Sequence, residues 1–211
     1  MSQNGSMFSF LCPGLTGFGG ALQALFATAL LASAAKAQAD VSEALNYRYY
    51  SGAIEPDAPL YSSLLAASSI RENGKIYFGH TAWQITWDLN WRRDSAGRCT
   101  LERIRTHLKA TITLPQKAAN DPRAPGDFER FATALREHEL HHRDIARKAA
   151  RAIDDRIWQS PAMRTCGELE AAANGVGQGR LDETRQRGAA YDEQTAHGCA
   201  GGAHSDRVSL K

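Results

Sequence analysis

The chain has 211 residues, with 25 lysines and arginines set against 23 aspartates and glutamates for a net charge of +2. Such a length implies one domain of ordinary size. The near balance of charge removes the electrostatic case for a nucleic-acid partner or an anionic membrane surface.

Residues 8–39 are apolar and small, carry no charge before Lys36, and end in two small-x-small sites, Ala35-Lys36-Ala37 and Ala37-Gln38-Ala39. This pattern reads as a signal peptide over residues 1–39, leaving a domain over 40–200 and a disordered tail over 201–211. Glycine and serine interrupt the apolar stretch, which argues against a retained membrane anchor. The expected product is periplasmic or secreted, with no stable membrane insertion after cleavage. Cys99, Cys166 and Cys199 then remain in an oxidising compartment, where one disulfide is expected. Cys99 follows a turn between strands and Cys166 opens a helical segment, so these two are the favoured pair. Cys199 is the odd thiol, close enough to His197 to keep a ligand role open.

From Val41 to about Leu114 the chain has the character of strands. Tyr47-Arg48-Tyr49-Tyr50 is aromatic and ends at Ser51-Gly52. Leu60, Leu64 and Leu65 mark a short helix, and Asn73-Gly74 marks a turn. Trp83-Gln84-Ile85-Thr86-Trp87-Asp88-Leu89 alternates large apolar with polar side chains. Asp94–Gly97 is a hairpin loop, and Cys99–Ile104 and Leu108–Leu114 form the partner, closed by Pro115. Trp83, Trp87 and Trp91 are packing residues, and His80, His107 and His204 are structural or surface histidines.

Pro115–Gly126 reads as a loop, with Asp127 as the N-cap of a helix from about Phe128 to Trp158. Phe128, Phe131, Leu135, Ile145, Ala149, Ala152, Ile153 and Ile157 recur at three- and four-residue intervals along it. A poorer helix covers Met163–Arg187, broken or weakened by Gly175, Gly177 and Gly179, and the chain from Tyr191 onward is irregular. The fold class is α+β: an antiparallel sheet packed against a long helix and a second C-terminal helix.

The chemistry lies mid-way along the long helix, in His138-Glu139-Leu140-His141-His142. Two imidazoles four residues apart share one helix face and can hold one zinc ion, with the glutamate beside a metal-activated water. His141 points off that face. A catalytic zinc takes three protein ligands and keeps one open position. The third ligand is open between a carboxylate on the next helix, Glu168 or Glu170, and His197.

The chain resembles a bacterial family catalogued as domain of unknown function 922 and described as predicted secreted zinc-dependent proteases. The resemblance rests on Thr81-Ala82-Trp83-Gln84-Ile85-Thr86-Trp87, Cys99, His138–His142, Cys166, and Tyr191-Asp192-Glu193-Gln194-Thr195-Ala196-His197-Gly198. It implies that His138, His142 and His197 bind zinc and that Glu139 passes a proton from water to the leaving amine of a peptide or protein substrate. It further implies a hydrogen bond from Tyr191 to the developing oxyanion, unless Tyr191 merely packs. Asp192 or Asp144 would orient a ligand imidazole. The rival expectation is a non-catalytic metal-binding envelope or interaction protein on the same scaffold.

Overall fold

The computed structural model describes residues 41–51, 59–72, 74–117 and 125–198, all within the second of two units, Gln38–Lys211. The expected signal peptide and tail, together with Cys12, Cys199 and His204, lie outside the described residues.

The central strand of the main sheet is β5 (Cys99–Pro115), flanked by β1 (Val41–Tyr50) and β4 (His80–Arg93) in the order β1-β5-β4. Between β1 and β4 lie helix α1 (Leu60–Ala67) and a small antiparallel pair of β2 (Arg71–Glu72) and β3 (Lys75–Ile76), with Gly74 at the expected turn in the left-handed conformation. β4 and β5 pair antiparallel from His80↔Thr113 to Arg93↔Cys99, with an irregularity between Asn90 and Trp91. The expected antiparallel sheet is corrected at β1, which runs parallel to β5 from Val41↔Thr106 to Tyr50↔Pro115. β1 ends and β4 begins at the same end of the sheet, with Tyr50 opposite Pro115 and His80 opposite Thr113, so β4 is the strand that reverses β1, and β5, inserted between them, regains the direction of β1.

Burial along β5 follows the strand period of two. Ile104, Thr106, Leu108, Ala110, Ile112 and Leu114 are buried while Arg103, Arg105, His107 and Lys109 are exposed. The apolar face receives helix α2 (Pro125–Trp158). This helix starts at a proline, which suits a first turn whose N–H groups lack helical partners; Asp127 is therefore inside the helix and not its N-cap. Two apolar clusters hold α2. Phe128, Phe131 and Leu135 pack with Leu60, Leu64, Ile112 and Leu114, while Ala146, Ala150, Ile153 and Ile157 pack with Ile85, Ile104, Leu108 and Ala173. Each large side chain buried this way stabilises the fold by roughly 1.5–3 kcal/mol. The histidine motif falls between the two clusters.

Helix α3 (Cys166–Thr195) is continuous through all three glycines and includes Tyr191–Thr195, which corrects both the expected break and the expected irregular segment. It opens with a capping box in which Thr165 and Glu168 each satisfy the other's backbone N–H. Gly177 is a packing position: a Cβ there would sit well inside van der Waals contact with the Trp87 ring, whose Nε1 donates to Asn174 at 2.9 Å. The Cys99–Cys166 disulfide joins the start of α3 to the start of β5, with Cα atoms 5.0 Å apart. Closing a loop of 67 residues limits the unfolded chain by about 4 kcal/mol in the entropic account. Among the described residues no helix is long and apolar enough to cross a membrane.

Candidate metal centre

His138, Glu139 and His142 project from α2 toward α3 and the start of β4. The four-residue spacing stacks the two imidazoles on one helix face, with ring centroids 4.8 Å apart and Nε2 atoms 3.2 Å apart. Asp192, in the last turn of α3, brings its Oδ1 to 3.1 Å from His138 Nε2 and 2.8 Å from His142 Nε2. Burial acts to raise the Asp192 carboxyl. Hydrogen bonding with His138 and His142, with the positive charge those rings carry when protonated, outweighs burial and holds it well below the usual carboxylate range.

These three donor atoms fit a divalent metal. A tetrahedral zinc with bonds of about 2.0–2.2 Å keeps its ligand atoms roughly 3.3–3.6 Å apart, a slight expansion of the present triangle. The two Nε2 atoms also face one another closely, and a single carboxylate oxygen is shared between them. A cation in their midst satisfies both lone pairs and the carboxylate together.

Glu139 lies beside the triangle, only 4% exposed. Thr81, the second residue of β4, places its hydroxyl 2.7 Å from Glu139 Oε2 and 3.0 Å from the Glu139 carbonyl. The other carboxylate oxygen lies against Gly79, where an added Cβ would come within 2.6 Å of Oε1. Burial pushes the Glu139 carboxyl up, and the Thr81 hydrogen bond and the neighbouring imidazoles offset only part of that.

Tyr191 is embedded among the three motif histidines. Its ring stacks 4.8 Å from His138 and 4.0 Å from His141, and meets His142 edge-on at 5.2 Å. Burial first, then the charges of Asp192 and Glu139, raise its phenol above the ordinary tyrosine range. His141 therefore lies off the donor face, as its position in the motif implies, but serves as one wall of a ring stack.

His197 follows α3 in the left-handed conformation, φ 53°, after Ala196 at φ 47°. Its Nδ1 lies 3.7 Å from Asp192 Oδ1 and its ring meets Tyr77 edge-on at 5.1 Å. Glu168 is taken up by the capping box and by Arg164. It and Glu170 stand at the opposite end of α3 from Asp192, about 36 Å away in the case of Glu168 at the helical rise. Neither joins the cluster. Asp144 pairs with Arg143 and Arg147 on the helix surface rather than with a ligand imidazole.

Sequence reasoning named Asp192 only as an orienting group and missed Thr81, Gly79 and Thr195. Reading residues 188–195 as helical would have found part of this, because Gly188, Tyr191, Asp192 and Thr195 then share one face at i, i+3, i+4 and i+7. Thr81 and Gly79 carry no such signal, since their role depends on strand placement.

The model of a family described as bacterial protein of unknown function (DUF922) matches residues 47–198. No curated protein and no solved structure matches the chain.

Proposed function

The chain belongs to this bacterial family, and we propose that it is a secreted or periplasmic zinc-dependent peptidase that hydrolyses peptide bonds in peptide or protein substrates. The observation that carries the reading is the convergence of His138 Nε2, His142 Nε2 and Asp192 Oδ1 within 3.2 Å of one another beside a buried carboxylate. Zinc bound by these residues supplies Lewis-acid polarisation of a carbonyl and lowers the pKa of water to about 7. Glu139 is the general base: burial makes its carboxyl a better proton acceptor than an exposed glutamate, and Thr81 fixes one of its oxygens. It holds the proton taken from water and returns it to the leaving amine. Tyr191, its ring fixed by stacking and its phenol kept protonated, is the donor for the developing oxyanion. The Cys99–Cys166 disulfide supports an extracytoplasmic setting.

A second ligand set has its own support. The left-handed backbone at His197 turns that ring back to within 3.7 Å of Asp192, so His197 would complete the set while Asp192 orients the imidazoles. Comparing Asp192→Ala with His197→Ala separates the two, since the true ligand loses far more zinc affinity. The function is tested by metal analysis of the purified domain and by Glu139→Gln on a broad peptide pool. Stoichiometric zinc with cleavage reduced at least about 100-fold in the variant supports the peptidase. Zinc without cleavage by the wild type moves the weight to a non-catalytic metal-binding protein, and no zinc sinks both.

A further inference from the structure

Thr195 sits one turn beyond Tyr191 on α3, and its hydroxyl has three neighbours. It donates to the Tyr191 carbonyl at 2.7 Å, receives the Gly198 N–H at 3.4 Å, and lies 3.4 Å from His138 Nδ1. A hydroxyl has one proton and two lone pairs. With the proton committed to the short carbonyl bond, the imidazole nitrogen at the third position has to be a donor. A neutral imidazole carries one N–H, so a proton on Nδ1 leaves the Nε2 lone pair to accept the His142 Nε2–H at 3.2 Å, a proton that His142 shares with Asp192 at 2.8 Å.

We propose that Thr195 is a positioning residue that fixes His138 in the Nδ1–H tautomer and so makes its Nε2 a standing metal donor. Two further contacts agree. Gly198 packs closely against the same side chain, where a Cβ would come within 3.2 Å of His138 Cγ, and its φ of +86° suits glycine. Asp192 approaches His142 more closely than His138, 2.8 Å against 3.1 Å, so the proton shared with that carboxylate in the metal-free protein belongs to His142. The same helix that brings Asp192 to the cluster thus sets the protonation of the ligand opposite it. An outer hydrogen bond of this kind typically contributes 10- to 100-fold in metal affinity. The consequence for zinc rests on the metal reading of the site, whereas the tautomer does not.

Nitrogen-15 NMR of metal-free, histidine-labelled protein, recorded with the imidazoles neutral, reads the tautomer directly. Zinc titration of wild type, Thr195→Val and Thr195→Ser reads the consequence. The expected result is Nδ1–H at His138 in the wild type and in Thr195→Ser. Thr195→Val should give a mixed tautomer and zinc binding weakened about 10- to 100-fold. A wild-type His138 protonated on Nε2, or Thr195→Val binding zinc within about twofold of wild type when such partners are worth at least tenfold, overturns the assignment. Should Thr195→Val fail to fold, the wild-type tautomer decides alone. A wild type that binds no zinc overturns the metal reading and the ligand role of Thr195 with it. That outcome is told apart from a failure at Thr195 because the tautomer is read without metal.

Discussion

Helix α2 carries two buried carboxylates that each meet a threonine hydroxyl from the sheet, one midway along the helix and one near its C-terminal end. Thr106 of the central strand donates to Asp154 at 2.7 Å, with both residues at 3% exposure or less. Thr81 of the edge strand donates to Glu139 at the same distance. The geometry is one device used twice, and the surroundings decide what it does. Asp154 is bracketed on its helix by Ala150, Ile153 and Ile157, all fully buried, so its hydrogen bond ties helix to strand inside an apolar cluster. Glu139 is bracketed by His138 and His142 and lies against the start of an edge strand, so its hydrogen bond orients the carboxylate proposed above as the base. A buried polar pair is structural or reactive according to its neighbours.

The contrast is sharpest in stability. Asp154→Ala strands the Thr106 hydroxyl in an apolar cluster and should lower the unfolding free energy by about 3 kcal/mol, measured by urea unfolding, with zinc stoichiometry unchanged in the folded protein. Glu139→Ala should cost less than about 1 kcal/mol in the metal-free protein, because it also removes a carboxylate that burial disfavours. Equal costs at the two sites would erase the distinction. Gly79→Ala comes next: its Cβ collides with Glu139 Oε1 and with Leu135 Cδ1, 2.9 Å away. It should destabilise by about 1–3 kcal/mol and displace the Glu139 carboxylate, so cleavage should fall further than zinc affinity. Unchanged cleavage would mean that Glu139 is not held where the base must be. The smallest effects are expected from the threonines. Thr106→Val should cost about 1–1.5 kcal/mol and leave cleavage intact, while Thr81→Val should cost about 0.5–1 kcal/mol and lower cleavage, read by thermal melts alongside peptide assays. A reversal of that pattern would exchange the roles assigned to the two pairs.

The parts legible in the sequence are those whose signal is local. The alternation of β4 and β5, the apolar recurrence along α2, the four-residue histidine spacing and the Cys99–Cys166 pair were all readable that way. The direction of β1 was not, because period-two patterning is identical in parallel and antiparallel strands and only the strand order, with β5 inserted between β1 and β4, decides. Helix α3 was under-read for a different reason: its buried residues Leu169, Ala173, Gly177 and Thr184 form no recognisable apolar stripe. Its start was nonetheless written in Thr165 and Glu168 as a capping box. Loss of the helix at Tyr191 in that reading also hid the alignment of Asp192 and Thr195.

The covalent bond at the head of α3 has a consequence at its far end. Asp192 lies 26 residues of helix beyond Cys166, about 39 Å away at the helical rise. The helix is therefore clasped twice, by a disulfide to the sheet and by a carboxylate to two imidazoles. Each clasp raises the effective concentration of the other's partners. Opening the disulfide loosens the tether that delivers Asp192 to the imidazoles, and a metal gripped at the far end in turn favours keeping the thiols paired.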